Sequence, residues 1–234
     1  MTVTRHDPAD TSRPKAIVAW SSGKDSAFAL WEARRAATVD VVGVLTTVTE
    51  GFGRVAMHGV REELLARQVA ALGLPVVRVG IPNPCPNAAY EAAMTQGLSE
   101  ARELGATHVV FGDLFLADIR AYREARLGEV GMHPVFPLWG RDTGALAREM
   151  IDAGLEARIV CVDPRKLDRS FAGRRFDRAF LAALPGDVDP CGENGEFHTV
   201  VTAGPMFARP IDVTMGDVVE RDGFVFADVV PAGA

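Results

Sequence analysis

From residue 14 onward, apolar and polar positions fall into blocks with two alternating periods. Residues 16–20 form a short continuous apolar run, the pattern of a strand buried on both faces. Over 24–35 the apolar residues return at helical spacing, with Asp25 in the predicted first turn. The β-branched stretch 39–48 predicts a second strand. Val60, Leu64, Leu65, Val69 and Leu72 then recur on one helical face, and Gly73 ends that helix. A third strand is predicted over 74–79, followed by a loop punctuated by Pro82, Pro84 and Pro86. Asn87 is placed to cap a helix running to Leu104 and stopping at Gly105. A fourth strand over 107–111 leads into Gly112-Asp113 and a helix reaching about Leu127.

This alternation predicts βαβ units, hence an α/β fold built on a Rossmann-like parallel sheet covered on both faces. Past Pro137 the texture changes. A helix near 143–153 and a strand near 157–162 precede a basic stretch over 165–178, which reads as a solvated helix face with ion pairs. A glycine-rich loop over 191–196 and short β-like runs near 198–202, 211–215 and 224–230 complete the chain. The expected organisation is a disordered tail over 1–13, a nucleotide domain over 14–138 and a smaller C-terminal α+β domain over 139–234.

Composition narrows the class. The 234 residues are 48% hydrophobic and 24% charged, enough apolar material for a substantial core. The net charge of −6, from 25 basic and 31 acidic side chains, argues against a broad grip on nucleic acid. Three widely spaced cysteines make neither a disulfide framework nor a CxxC metal or redox site. The polar start lacks the apolar core of a signal peptide, and no apolar run approaches the ~20 residues that span a bilayer. A reducing cytoplasm is therefore the expected compartment, with no membrane partner.

The sharpest chemical signal is Ser21-Ser22-Gly23-Lys24-Asp25-Ser26, between the first strand and the first helix. A helix N-terminus presents unpaired N–H groups and a positive dipole end, so it attracts anions. Gly23 lets backbone approach a phosphate, Ser21, Ser22 and Ser26 supply hydroxyls, and Lys24 supplies charge. The loop is not a Walker A motif, since G-x-x-x-x-G-K-[ST] is absent. The second concentration is Cys191-Gly192-Glu193-Asn194-Gly195-Glu196-Phe197-His198-Thr199. Its glycines demand a loop. Glu193 and Glu196, with Asn194 and His198 beside them, suit magnesium, an amine or general-base work; an Asn-Gly hairpin turn with solvated charges is the plainer alternative.

SSGKDS resembles the SGGxDS loop of the PP-loop ATP pyrophosphatases, with Ser22 where Gly is usual. Paired with the GENGEF string, it resembles the diphthine–ammonia ligase family; Pro137-Leu138-Trp139-Gly140-Arg141-Asp142 and the Gly173-Arg174 step match as well. The resemblance covers nearly the whole chain after the tail. Asn194 stands where the ligases usually carry Gly, and His198 where they often carry Glu, as in a prokaryotic GENGEFH subgroup; the ATP chemistry is carried over from the resemblance and diphthine is not. The resemblance implies an adenine nucleotide alpha hydrolase-like first domain that binds ATP with Mg²⁺, and a second domain that closes the cleft. It implies adenylation of a carboxylate, on a modified protein side chain or a small molecule, then amidation by ammonia with release of AMP and pyrophosphate. Lys24, Asp25, Glu193 and Glu196 are the catalytic candidates. Ser21 through Ser26, Thr46, Gly112 and Asp113 are expected around ATP, with Asp113 on the metal. His58, Arg141, Arg174, Asn194 and His198 are expected around the substrate. Two rivals share the fold: a PP-loop enzyme modifying a nucleotide or tRNA base, and a non-catalytic ATP sensor. A homodimer is one assembly considered; the sequence does not fix the oligomeric state.

Overall fold

The computed structural model describes residues 13–51, 53–55 and 59–233. The tail expected over 1–13 falls, save for its last residue, outside the described residues, and so does His58.

Strand β1 (Lys15–Ala19) feeds helix α1 (Lys24–Ala36), then β2 (Asp40–Thr49), the short β3 (Arg54–Val55), α2 (Glu62–Leu72) and β4 (Val76–Ile81). Helix α3 (Asn87–Glu103), β5 (His108–Val110), α4 (Ala117–Glu129) and β6 (His133–Val135) complete the first half. Strands β1, β2, β4, β5 and β6 pair in parallel, while β3 pairs antiparallel with the end of β2. β1 lies at the centre, with β2 on one side and β5 on the other. The chain thus winds outward from β1 in both directions, and β1 and β5 flank the switch point where such sheets bind ligands.

The second half contains α5 (Thr143–Asp152), β7 (Glu156–Val162), α6 (Arg178–Ala183), β8 (Phe197–Ala203), β9 (Val213–Arg221) and β10 (Phe224–Pro231). Its strands form an antiparallel sheet in the order β8-β7-β10-β9. The architecture is the expected α/β sheet with a smaller α+β unit.

Strand parity divides the core. Ile17, Leu45, Val79, Val109 and Phe111 face Leu98 and Ala101 of α3 and Leu127 of α4. Ala16, Val18, Val44 and Val110 face the opposite way, onto Phe28 and Leu30 of α1 and Leu64 and Leu65 of α2. That second cluster continues into Ile159, Val162, Val200 and Val225, so the antiparallel sheet packs over α1 and α2. Burying each such side chain contributes roughly 1.5–3 kcal/mol.

Several local expectations are corrected. Asn87 begins α3 as its first helical residue after Pro86 and makes no side-chain cap bond. The stretch over 165–178 is not a helix face. It holds only a 3-10 turn at Arg169–Phe171, and α6 starts at Arg178, capped by the Asp177 carboxylate accepting from Phe180 N at 2.8 Å. The β-like run near 211–215 extends to Arg221 as the exposed edge strand β9, which bulges where Gly216 and Asp217 oppose Asp228. A bulge and charges blunt an edge against pairing with other chains. Among the described residues, no helix is long and apolar enough to cross a membrane.

Candidate active site

At the carboxyl end of β1 the chain turns through the serine-rich loop into α1. The hydroxyls knit this loop together. Ser26 Oγ donates to Gly23 O at 3.0 Å and lies 3.1 Å from Ser21 Oγ, while Gly23 N reaches Ser21 Oγ at 3.4 Å. The first intrahelical bond is Ala27 N to Gly23 O, so the amides of Asp25 and Ser26 come before any intrahelical acceptor. Gly112, at the end of β5, packs on this turn. A Cβ there would lie 2.7 Å from Asp25 C and 2.8 Å from Ser26 N, so only glycine allows the approach. Gly112 thus makes a close contact with the α1 backbone while also lining the cleft beside it.

A cleft of about 420 Å³ opens here. Ser21, Lys24, Asp25 and Ser26 line one side, Gly112, Asp113 and Arg123 another, and Gly192, Glu193, His198 and Thr199 come from the second half of the chain. An apolar slot of about 160 Å³ adjoins it between α3 and α4, sharing Leu45, Tyr90, Met94 and Phe111 as walls.

Lys24 does not extend freely into this cleft. Its side chain is 2% exposed, and its ammonium donates to both Asp25 oxygens, at 2.9 and 2.8 Å, and to the Cys191 carbonyl. The rings of Phe176 and Phe197 stand 5.6 and 5.5 Å away. Burial pulls the Lys24 pKa down, but the charge and hydrogen bonds of Asp25, with contributions from Cys191 and Glu193, together outweigh it and raise the pKa above the usual lysine value. Lys24 N donates to Thr199 Oγ1 at 3.0 Å, so Lys24 by itself latches the loop to the second half of the chain twice. The Cys191 thiol is pushed far up by burial and is no nucleophile.

Of the two glutamates of the second motif, Glu193 is the one that lines the cleft. Its Oε1 accepts from Leu114 N at 2.7 Å and Phe115 N at 3.4 Å. Burial, aided by the negative charges of Asp25 and Asp113, pushes its pKa up to about 7 against the pull of those amides. Glu196, expected beside it, is buried outside the cleft lining. Its Oε1 accepts from Asp189 N and Asn194 Nδ2, each at 3.1 Å, and so braces the loop. Asn194 is exposed and does not line the cleft, and its carbonyl is held by Lys166 at 2.5 Å. Consecutive residues on this tight turn thus face opposite ways, Glu193 inward and Asn194 toward solvent.

Other expectations shift for equally local reasons. Ser22 has φ 68, and its hydroxyl is buried without a hydrogen-bond partner rather than facing the cleft. The Thr46 side chain is buried with its hydroxyl also unpartnered, while strand alternation turns the side chains of Leu45 and Thr47 to the cleft; the expectation for this stretch concerns its backbone. Asp113 reaches the cleft wall, but Arg123 holds both its oxygens, at 2.6 and 3.1 Å. Among the described residues no group of three metal-ligating side chains converges, and Asp113 is the carboxylate of this wall already paired with an arginine. Arg141 pairs with Glu149, and Arg174 lies 4.1 Å over the Phe171 ring; neither lines the cleft. His198 does line it.

Arg123, Tyr90, Phe111, Thr199 and Gln68 lie outside the residues expected at the site. Two of them carry a signal in the sequence: Thr199 closes the second motif, and Gln68 is a glutamine on the apolar stripe of α2 between Leu64 and Leu72. The others are brought in by packing of elements distant in sequence.

Fold and site together define a doubly wound α/β protein with a serine-knit loop at its switch point, closed over by a glutamate loop from the antiparallel half. Residues 14–134 match the diphthamide synthase N-terminal domain and residues 142–226 match the diphthamide synthase C-terminal domain. The chain belongs to the diphthamide synthase family. It is similar to a protein of Danio rerio named diphthine–ammonia ligase, 28% identical over 175 residues, which cover 68% of each chain. Relatives of the same name match over shorter stretches. The one from Homo sapiens is 32% identical over 105 residues, 43% of this chain and 39% of its own length. The one from Schizosaccharomyces pombe is 30% identical over 113 residues, 45% of this chain and 19% of its own. Those two matches thus span less than half of either relative's length.

Proposed function

We propose that this protein is an ATP-dependent, AMP-forming ligase that adenylates a carboxylate and passes the acyl group to ammonia. The observation that carries the reading is the loop at Ser21–Ser26. It sits at the switch point with an open helix end, serine hydroxyls and a charged lysine gathered at one cleft wall. The ATP phosphates lie against the α1 amides and Ser21, and the base enters the apolar slot beside Tyr90 and Phe111. A substrate carboxylate oxygen attacks the α-phosphorus and pyrophosphate leaves. Ammonia then attacks the acyl carbon, and AMP leaves with the C–O bond electrons.

The α1 dipole, the loop amides and Lys24 stabilise the charge that develops on the phosphates. Glu193, poised near neutrality and facing the same cleft, accepts the proton that the attacking nitrogen loses. Its placement supports ammonia as donor. The carboxylates present do not make a ready Mg²⁺ site: Asp113 is tied to Arg123, Asp25 to Lys24 and Glu193 to backbone amides. The steps above therefore use the chain's own groups. The name of the relatives makes diphthine the first carboxylate to test.

The test is product analysis with α- and γ-labelled ATP, ammonium and candidate carboxylates, including diphthine-bearing elongation factor 2. AMP and pyrophosphate are expected, and both should vanish in Ser26→Ala. ADP and phosphate would overturn the mechanism, and tight ATP binding without turnover on any carboxylate would favour a sensor.

A further inference from the structure

Ser22 stands in the phosphate loop with φ 68, in the left-handed region that a residue with a Cβ enters at a cost of roughly 1–2 kcal/mol. Nothing in its own side chain repays that cost, since its buried hydroxyl has no hydrogen-bond partner. Its carbonyl is held from two directions. Val201 N of β8 donates to Ser22 O at 2.9 Å, and Gln68 Nε2 of α2 donates to the same oxygen at 3.1 Å. Gln68 is fully buried, and each end of its amide is engaged. Its second Nε2 proton goes to Val201 O at 2.8 Å, and its Oε1 accepts from Trp20 Nε1 at 3.1 Å. One side chain therefore ties the residue before the loop, the strained residue within it and the strand of the second sheet beside it.

We propose that Gln68 is a positioning residue for nucleotide binding: it clamps left-handed Ser22 to β8 and so keeps the phosphate loop in its anion-binding shape. Gln68 lies outside the cleft lining and acts only through the backbone it holds. The inference rests on the reading of this loop as an ATP site. An apolar side chain of like volume at 68 would fill the same space but leave Ser22 O with one donor and the strain opposed by less. A glycine at 22 would remove the strain and lose no hydrogen bond, because the serine hydroxyl makes none.

The experiment is a double-mutant cycle between Gln68→Met and Ser22→Gly. It is read by calorimetric ATP affinity and by hydrogen exchange of the loop amides at 22–24. The expected result for Gln68→Met is ATP affinity weakened about tenfold or more, as loss of its hydrogen bond to Ser22 O implies, with faster loop exchange. Adding Ser22→Gly to that variant is expected to recover most of both. Equal affinity and exchange in folded Gln68→Met would overturn the proposal, and so would failure of Ser22→Gly to recover either. If Gln68→Met alone does not fold, the double variant decides: recovery of the fold with protected loop amides is expected, and continued failure overturns it. Absence of ATP binding by the unaltered protein would sink the nucleotide reading, while the exchange data would still judge the clamp.

Discussion

Glu193 is the group expected to set the pH dependence of the cleft. With its carboxyl pushed up to about 7, turnover is expected to rise with pH through that value as the base form appears. Glu193→Gln should lower kcat about 100-fold or more, the usual worth of a proton-transfer group, and flatten the pH–rate profile. An unchanged profile would remove Glu193 from the chemistry. The stability consequence has a definite sign. An unfolded carboxyl titrates near ~4.3, so between there and about 7 the native state holds the extra proton, and stability falls as pH rises through the window. The melting temperature of Glu193→Gln is expected to gain on the native protein between about pH 5 and pH 8. Lys24 behaves oppositely, as a satisfied cation whose partners would be stranded by its loss. Lys24→Met is expected to destabilise by the lower end of ~3–5 kcal/mol, because Asp25 still reaches solvent, as urea denaturation would measure. Residue type and motif single out Lys24 and Glu193, and both line the cleft. The same reasoning misplaces the Ser22 hydroxyl and Glu196, because residue type does not tell which way a side chain turns.

Among the elements, β1, the loop and α1 are legible because period and punctuation agree: a short apolar run, then a Gly and Ser turn, then an apolar face every three to four residues. The short β3, β6 and α6 are not, having too few residues to show a period. The junction of β5 with α1 makes its own prediction. Gly112→Ala would press a methyl group to within 2.7 Å of the Asp25 backbone, so β5 and α1 must separate. A loss of about 1–3 kcal/mol in urea denaturation is expected, as for overpacked cores, together with weaker ATP binding. Wild-type affinity in this variant would mean that the α1 end tolerates displacement.

Across the whole molecule, one apolar cluster runs from the parallel sheet through α1 and α2 into the antiparallel sheet. The latches from Lys24 to Cys191 and Thr199, and from Gln68 to Val201, cross the same boundary. The boundary expected between 138 and 139 thus separates two sheets that share a core. A single calorimetric transition, with calorimetric and van't Hoff enthalpies in agreement, is expected on heating. Two resolved transitions would show that the halves fold independently.

Local periodicity and turn chemistry, which short stretches of chain encode, are enough to specify the α/β class and the anion loop between strand and helix. They also mark the glutamate loop as a second concentration of chemistry. They do not reach the facts that shape the site. Glu193 enters the cleft while Glu196 braces its rim, Arg123 neutralises Asp113, and Gln68 holds a strained serine. Most of these depend on contacts between residues far apart in the chain, 46 positions from Ser22 to Gln68 and 79 from Leu114 to Glu193. Such contacts exist only once the apolar faces of both sheets have closed on the same helices.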